Sequence, residues 1–277
     1  MRRRAWLHLP PAPGPGLPLV VMLHGAGATA AVARQQTGWT AKADAERFAA
    51  VFPEGTARDP DAPPLFRLNP QLWNDGSGRG HVARRGVDDV GFIAALIERL
   101  ARELALDRRR IWITGFSNGA SLAFRLGAEL AEVVAAIAPV AGHCWIDPPR
   151  VVGLPPLLHI AGAADPLNPL EGGDVETPWG HSEYHPPVRR SIERWARASG
   201  DASCTDRTDE AGVIWTECGD GAGDPAARLA VVPGLGHVWP GGPRLLPERL
   251  VGRASRLLMG TDVISEFFNR SPRRPPR

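Results

Sequence analysis

The sequence predicts an α/β fold: a mostly parallel central sheet with helices on both faces, a three-layer sandwich. Two patterns predict it. Short unbroken apolar runs, such as Leu19-Val20-Val21-Met22-Leu23, read as strands covered on both sides. Between them lie segments of helical periodicity, and strands alternating with helices imply a parallel sheet. The length of 277 residues is enough to bury a sizeable core, and an α/β fold of this size is commonly one domain. No repeat or linker interrupts it, so residues 1–270 read as one domain and the Pro/Arg-rich 271–277 as a disordered tail.

Leu19 to Leu23 is the first strand and runs into a small-residue loop, His24-Gly25-Ala26-Gly27. Trp39 to Ala50 has helical composition and leads into a short strand ending at Phe52-Pro53-Glu54-Gly55. Residues 56–86, rich in Pro, Gly, Asp and Arg, read as an irregular loop. Val90, Ile93, Ile97, Leu100 and Leu104 then recur at steps of three and four, one face of a helix. Asp88 suits its N-cap, and Asp107 lies just past its end. Ile111 to Thr114 is a strand, Ser121 to Leu130 a helix, and Val133 to Val140 and Pro155 to Ile160 are buried strands. Val188 to Ala198 is helical, Val213 to Thr216 and Ala227 to Val232 are strands, and Val263 to Phe268 belongs to a last helix.

A net charge of +2 gives no reason to expect a nucleic-acid or polyanion partner. Arg far outnumbers Lys (Lys42 stands alone), so Arg84-Arg85 and Arg108-Arg109-Arg110 read as solvated loop charges. Met1-Arg2-Arg3-Arg4 resembles the charged start of a signal peptide, but Ala5 to Leu9 is too short for its apolar region. No apolar segment approaches the roughly eighteen residues that span a membrane. The chain as written therefore reads as cytoplasmic, with export the alternative should the true start lie upstream. Three cysteines give no metal spacing. Cys204 and Cys218 can bridge in an oxidising compartment, leaving Cys144 over; in the cytoplasm all three are expected as free thiols.

Gly115-Phe116-Ser117-Asn118-Gly119 reads G-x-S-x-G, between the strand at Ile111 and the helix that follows. In that context the glycines permit a sharp turn that holds Ser117 strained, its hydroxyl exposed above the sheet. The helix start points its N–H groups toward negative charge developing there. Two later strands end in loops that complete the set. Pro155 to Ile160 runs into Ala161-Gly162-Ala163-Ala164-Asp165, and Leu229 to Val232 runs into Pro233-Gly234-Leu235-Gly236-His237. The order Ser117, Asp165, His237 is that of an α/β-hydrolase triad. His237 would take the serine proton, and Asp165 would hold the imidazole in the right tautomer. Asp174 is a nearby substitute for the acid. The backbone N–H groups of Asn118 and Ala26 would meet the oxyanion. His24 reads as a brace for the Ala26 loop and is grouped with the substrate-binding residues. His143, His159, His181 and His185 lack ligand spacing and read as packing or surface residues, so neither a metal nor a cofactor is expected.

The chain resembles the poly(3-hydroxybutyrate) depolymerase and feruloyl esterase group of α/β-hydrolases, related to carbohydrate esterase family 1. The resemblance rests on Leu23-His24-Gly25, Phe52-Pro53-Glu54-Gly55, Trp73-Asn74, Val87-Asp88-Asp89-Val90-Gly91-Phe92, the Ser117 segment through Ala120, Ala138-Pro139-Val140-Ala141-Gly142, and Gly236-His237-Val238-Trp239-Pro240-Gly241-Gly242. It implies the same catalytic three and puts Trp73 and Trp239 at the border of the acyl pocket, although Trp239 equally suits packing of the histidine loop. Asp88 and Asp89 read as a helix cap and loop support. Relatives often carry His-Gly where this chain has Ala161-Gly162. They are often secreted and often have cysteines where Cys204 and Cys218 stand.

The expected activity is serine carboxylic-ester hydrolysis through an acyl-enzyme, on short-acyl, hydroxyacyl or aryl-acyl esters, small or oligomeric. Residues 166–187 are expected to loop over the pocket and supply Trp179 and Tyr184. A serine peptidase of the same fold, or a non-catalytic binding protein on this scaffold, is the alternative.

Overall fold

The computed structural model describes residues 3–149, 153–200, 203–219 and 224–273. In chain order its first half contains β1 (Ala5–His8), β2 (Leu19–Leu23), α1 (Ala30–Thr37), α2 (Trp39–Glu46), β3 (Ala49–Pro53), β4 (Thr56–Ala57), β5 (Gln71–Leu72), α3 (Gly80–Arg84), α4 (Asp89–Glu103), β6 (Ile111–Phe116) and α5 (Asn118–Glu129). The second contains β7 (Ala136–Val140), β8 (Leu157–Gly162), β9 (Gly173–Glu176), β10 (Ser182–His185), α6 (Val188–Ala198), β11 (Cys204–Thr208), β12 (Ile214–Cys218), β13 (Ala227–Val232), α7 (Glu248–Val251) and α8 (Gly260–Asn269).

Nine strands form one sheet in the order β1-β3-β2-β6-β7-β8-β13-β12-β11. The central strands from β3 to β13 are parallel, whereas β1, β12 and β11 pair antiparallel at the margins. Alternate residues of a strand face opposite sides, and β2 uses both. Leu19, Val21 and Leu23 pack with Ile93 and Ile97 of α4, Leu122 of α5 and Trp195 of α6. Val20 and Met22 pack with Ala33 of α1, Trp39 of α2 and Phe268 of α8. Each such aliphatic side chain stabilises the fold by about 1.5–3 kcal/mol, which is why the strands are apolar without interruption. The chain therefore has the three-layer α/β-hydrolase architecture. Parallel strands also bring their carboxyl ends to one side, gathering the loops after β2, β6, β7, β8 and β13.

Several elements differ from their sequence reading. The helix from Trp39 ends at Glu46, because Arg47 turns left-handed (φ 59°) and Ala49 and Ala50 enter β3. Residues 56–86 contain the β4–β5 pair and α3 as well as loop. The stretch from Ala5 is a strand on β3, and the preceding Arg3 forms an ion pair with Asp89 at 2.7 Å. Residues 166–187 include the hairpin β9–β10. Cys204 and Cys218 face one another across β11 and β12, Cα atoms 4.1 Å apart, and are disulfide-bonded. Of the two states the sequence left open, the structure has the bridged one; Cys144 is free and buried. Of the tail read as disordered, Ser271, Pro272 and Arg273 are described, and Arg273 N–H donates to Arg109 O at 2.8 Å; residues 274–277 lie outside the described residues. Among the described residues no helix is long and apolar enough to cross a membrane.

Candidate active site

β6 ends at Phe116 and α5 begins at Asn118, so one residue makes the whole turn between them. That residue, Ser117, has φ 55° and ψ −119°, a conformation that costs a non-glycine residue about 1–3 kcal/mol. Its surroundings hold it there: Ser117 N–H donates to Val140 O at 2.9 Å, and Ser121 N–H returns to Ser117 O at 3.0 Å. Both flanking glycines are sterically required. A Cβ at Gly115 would lie 2.4 Å from Gly119 O, and one at Gly119 would lie 2.5 Å from the carbonyl oxygens of Leu23 and His24. The elbow is thus clasped between its own helix and the end of β2.

The loops after β8 and β13 bring Asp165 and His237 together. His237 Nδ1 lies 2.8 Å from Asp165 Oδ2, and both residues are buried. The other carboxylate oxygen accepts N–H bonds from Leu167 (2.8 Å) and Asn168 (2.9 Å) in the turn that follows. With its Nδ1 proton directed at the carboxylate, His237 keeps Nε2 as a lone-pair acceptor. Asn168 Nδ2 donates to Ala141 O at 2.6 Å and so ties the acid turn to the end of β7. The His237 ring packs against Phe116, centroids 4.8 Å apart. Asp174, the alternative acid, is exposed on β9.

Ser117 and His237 open on a single cavity of about 350 Å³. The loop after β2 contributes Gly25, Ala26, Gly27 and Ala28 to its wall, and Asn118 lies beside Ser117. The Ala26 and Asn118 amides therefore belong to segments that border Ser117. The Asn118 side chain points away from this role: its Oδ1 accepts from Trp73 N–H (2.8 Å), and its Nδ2 donates to Asp75 Oδ2 (2.8 Å). The hairpin β9–β10 covers one side with Val175, Glu183 and His185, and its turn adds Trp179, whose indole N–H donates to Phe66 O at 2.9 Å. Tyr184 of the same hairpin is 64% exposed and is not part of the wall.

Three residues placed at the substrate by sequence reasoning lie behind the wall. Trp73 is fully buried, its indole N–H donating to His24 O at 2.9 Å. Trp239 is equally buried and donates to Thr261 Oγ1 at 3.0 Å. His24 directs Nδ1–H to its neighbour Gly25 O (2.8 Å) and accepts Gly55 N–H on Nε2 (2.9 Å). Burial lowers its pKa and keeps it neutral, as that pair of bonds requires. These side chains support the Ala26 loop and the histidine loop, and none lines the cavity. Asp88 caps α4 through Gly91 N–H (2.7 Å). Asp89 accepts Asn74 N–H (2.7 Å) and pairs with Arg3, although its burial raises its pKa.

Sequence reasoning missed other wall residues. His143, read as packing, lines the cavity, as do Trp145, Arg79, His185 and Phe66. The signal for His143 was available: it stands three residues past β7, at the carboxyl end of a parallel strand. Arg79 and Phe66 come from an excursion without periodicity and had no such signal. His159, by contrast, is a core residue against Phe124, its pKa pushed down to about 3 by burial. Among the described residues no group of three or more His, Cys, Asp or Glu is placed to hold a metal ion.

A nine-stranded, mostly parallel sheet with a strained serine at a strand–helix elbow and a carboxylate-bound histidine lining the same cavity defines an α/β-hydrolase. The family described as Esterase PHB depolymerase matches residues 5–163, and the chain belongs to it. The protein is a carboxylic ester hydrolase. It is 31% identical to the protein NocK of Nocardia uniformis subsp. tsuyamanensis over 93% of its own length and 76% of that protein's. It is 28% identical to poly(3-hydroxyalkanoate) depolymerase C of Paucimonas lemoignei over 94% of its own length and 64% of that protein's. Among solved structures it is similar in fold to the acetyl xylan esterase from Aspergillus awamori (TM-score 0.60, 13% identity, covering 84% of this chain and 88% of that one).

Proposed function

We propose that the protein cleaves carboxylic esters through an acyl-enzyme on Ser117. The observation that carries this is the convergence, on one cavity, of a strained serine and a histidine bonded to a buried carboxylate. His237 Nε2 takes the Ser117 proton as Oγ attacks the ester carbonyl, and the imidazolium is stabilised by Asp165. The backbone N–H groups of Asn118 and Ala26 receive the oxyanion, a contribution worth about a hundred- to a thousand-fold per donor. His237 then returns the proton to the leaving alcohol, and a water deacylates the serine by the same route.

The cavity supports small or oligomeric esters with short acyl, hydroxyacyl or aryl-acyl groups, a choice also supported by relatives named for poly(3-hydroxyalkanoate), acetylxylan and feruloyl esters. Ser117→Ala is expected to lower kcat on p-nitrophenyl butyrate by about 10⁶-fold with an unchanged circular dichroism spectrum. Full turnover by that variant would refute the assignment. The Cys204–Cys218 bond supports the alternative of work in an oxidising compartment over the cytoplasmic reading of the chain as written. Thiol titration of the unreduced, unfolded protein should then find one free cysteine rather than three.

A further inference from the structure

The cavity crosses the carboxyl end of the sheet, and its two ends are built from different layers. At one end stand Val32 and Gln36, one turn apart on α1, with Leu245 and Leu246 from the segment before α7. This end belongs to the layer that packs Trp39 and Phe116, against which Leu246 also rests. At the other end stand Ser121 of α5, Trp145 and Arg79. There α5 packs with Trp195 in the opposite layer, and so does Ile146, next to Trp145. Ser117 lies at the crossing, on the end of the central strand β6.

His237 belongs to the first end. Its ring packs on Phe116, and its backbone N–H donates to Val251 O at 2.5 Å, which ties the histidine loop to the segment that carries Leu245 and Leu246. The stretch between them is seated on α1: a Cβ at Gly242 would lie 2.4 Å from Gln36 O, so only a glycine allows the approach. Val32 and Leu246 are half-buried and Leu245 is 40% exposed, so all three keep apolar surface that a molecule in the cavity can reach. Of the residues that α1 and this segment give to the cavity, only Gln36 has a polar side chain.

Resting on the reading of Ser117 as nucleophile and His237 as its base, we propose that Val32, Leu245 and Leu246 receive the leaving alcohol of the ester, and that this alcohol is an alkyl or aryl one rather than a sugar. The leaving oxygen takes its proton from His237 Nε2, which requires hydrogen-bond contact of about 2.6–3.2 Å. Whatever that oxygen carries therefore starts beside the histidine and extends along the aliphatic end. The carbonyl oxygen is directed to the Ala26 and Asn118 amides, so the acyl chain takes the remaining direction, past Ser121 toward Trp145. Sugar hydroxyls set against valine and leucine would give up water without a replacement partner, a loss that one glutamine does not offset. An alkyl chain gains there instead, by roughly fourfold for each methylene removed from water.

Two ester series test this through kcat/KM, which reports acylation, the step in which the alcohol is still attached. With butyrate as the fixed acyl group, butyl butyrate should exceed methyl butyrate by about tenfold or more. 3-Hydroxypropyl butyrate, whose hydroxyl replaces the terminal methyl of the butyl ester, should fall about tenfold below butyl butyrate. Leu245→Gln and Val32→Thr should each reduce the butyl-to-methyl ratio about two- to fivefold, while the ratio of methyl butyrate to methyl acetate stays where it is. Trp145→Leu should do the reverse, moving the acyl ratio and sparing the alcohol ratio. The wild-type ratios decide even if a variant fails to fold. A butyl-to-methyl ratio near one, a 3-hydroxypropyl ester cleaved as well as the butyl ester, or Leu245 and Val32 variants that move the acyl ratio instead would overturn the proposal. Turnover of methyl butyrate retained by Ser117→Ala would count against the nucleophile, a failure that these ratios do not share.

Discussion

The back of the site and its face are built by opposite rules. Behind the wall a chain of polar groups that supports the elbow is closed within the protein: Asn118 on Trp73 and Asp75, Trp73 on His24, His24 on Gly55, Asp89 on Asn74 and Arg3. On the face, Ser117 is held in a left-handed, strained backbone conformation. Closure at the back gives the rigidity that holds the strained residue at the face. Aromatic residues near the site therefore divide by which side of the wall they stand on. Trp73 and Trp239 are scaffold, whereas Trp145 and Trp179 line the cavity.

The contrast can be broken by substitution. The largest effect should come from Asp165→Asn, which removes the carboxylate that fixes the His237 tautomer and should cost about 10⁴-fold in kcat while leaving the urea midpoint almost unmoved. A comparable loss of stability instead would move Asp165 to the scaffold. Asp89→Ala should do the reverse. It strands the Arg3 guanidinium and the Asn74 amide, and should lower unfolding free energy by about 3–5 kcal/mol with kcat of the folded enzyme changed less than about tenfold.

A smaller effect concerns Glu183, whose carboxyl sits near 2 rather than its usual 4.5 through its interaction with His185 and then Arg79. A depressed carboxylate stabilises the fold fully above the unfolded value, and that contribution is lost as pH falls from about 4.5 toward 2. With screening at a partly exposed group the change should be about 1–2 kcal/mol, and urea midpoints of Glu183→Gln should lack that part of the acid slope. The smallest effect is expected from Trp73→Phe, which loses one closed hydrogen bond and should cost about 1 kcal/mol. The relative kcat/KM on p-nitrophenyl acetate and butyrate should not move, because the ring does not line the cavity; a changed preference would return Trp73 to the face.

Much of this layout was legible in the sequence where the signal is local. The one-residue turn at Ser117 is written in two glycines that no side chain could replace, and Asp165 and His237 follow strands whose apolar runs leave little choice. Orientation was not legible. An indole near the site reads the same whether it faces inward or outward, so Trp73 and Trp239 were assigned to the substrate and proved to be buried behind it. The hairpin was hidden for a different reason. Gly173-Asp174-Val175-Glu176 and Ser182-Glu183-Tyr184-His185 each bury a single residue, so hydrophobic alternation has almost nothing to record. Likewise β1 is almost wholly exposed and exists because β3 offers it a ladder, which no property of Ala5 to His8 announces.

The disulfide between β11 and β12 has a consequence for the company this molecule can keep. A sheet that does not close on itself ends in a row of unpaired N–H and C=O groups, a template on which a second chain can grow. Here the outermost strand is welded to its neighbour at one end and carries exposed Asp206 and Arg207 along its length. Register slippage, the first move toward joining another sheet, would require breaking a covalent bond. A cross-link far from the chemistry thus protects the enzyme from aggregation, and reduction should reveal it as turbidity during heating before any loss of ester cleavage.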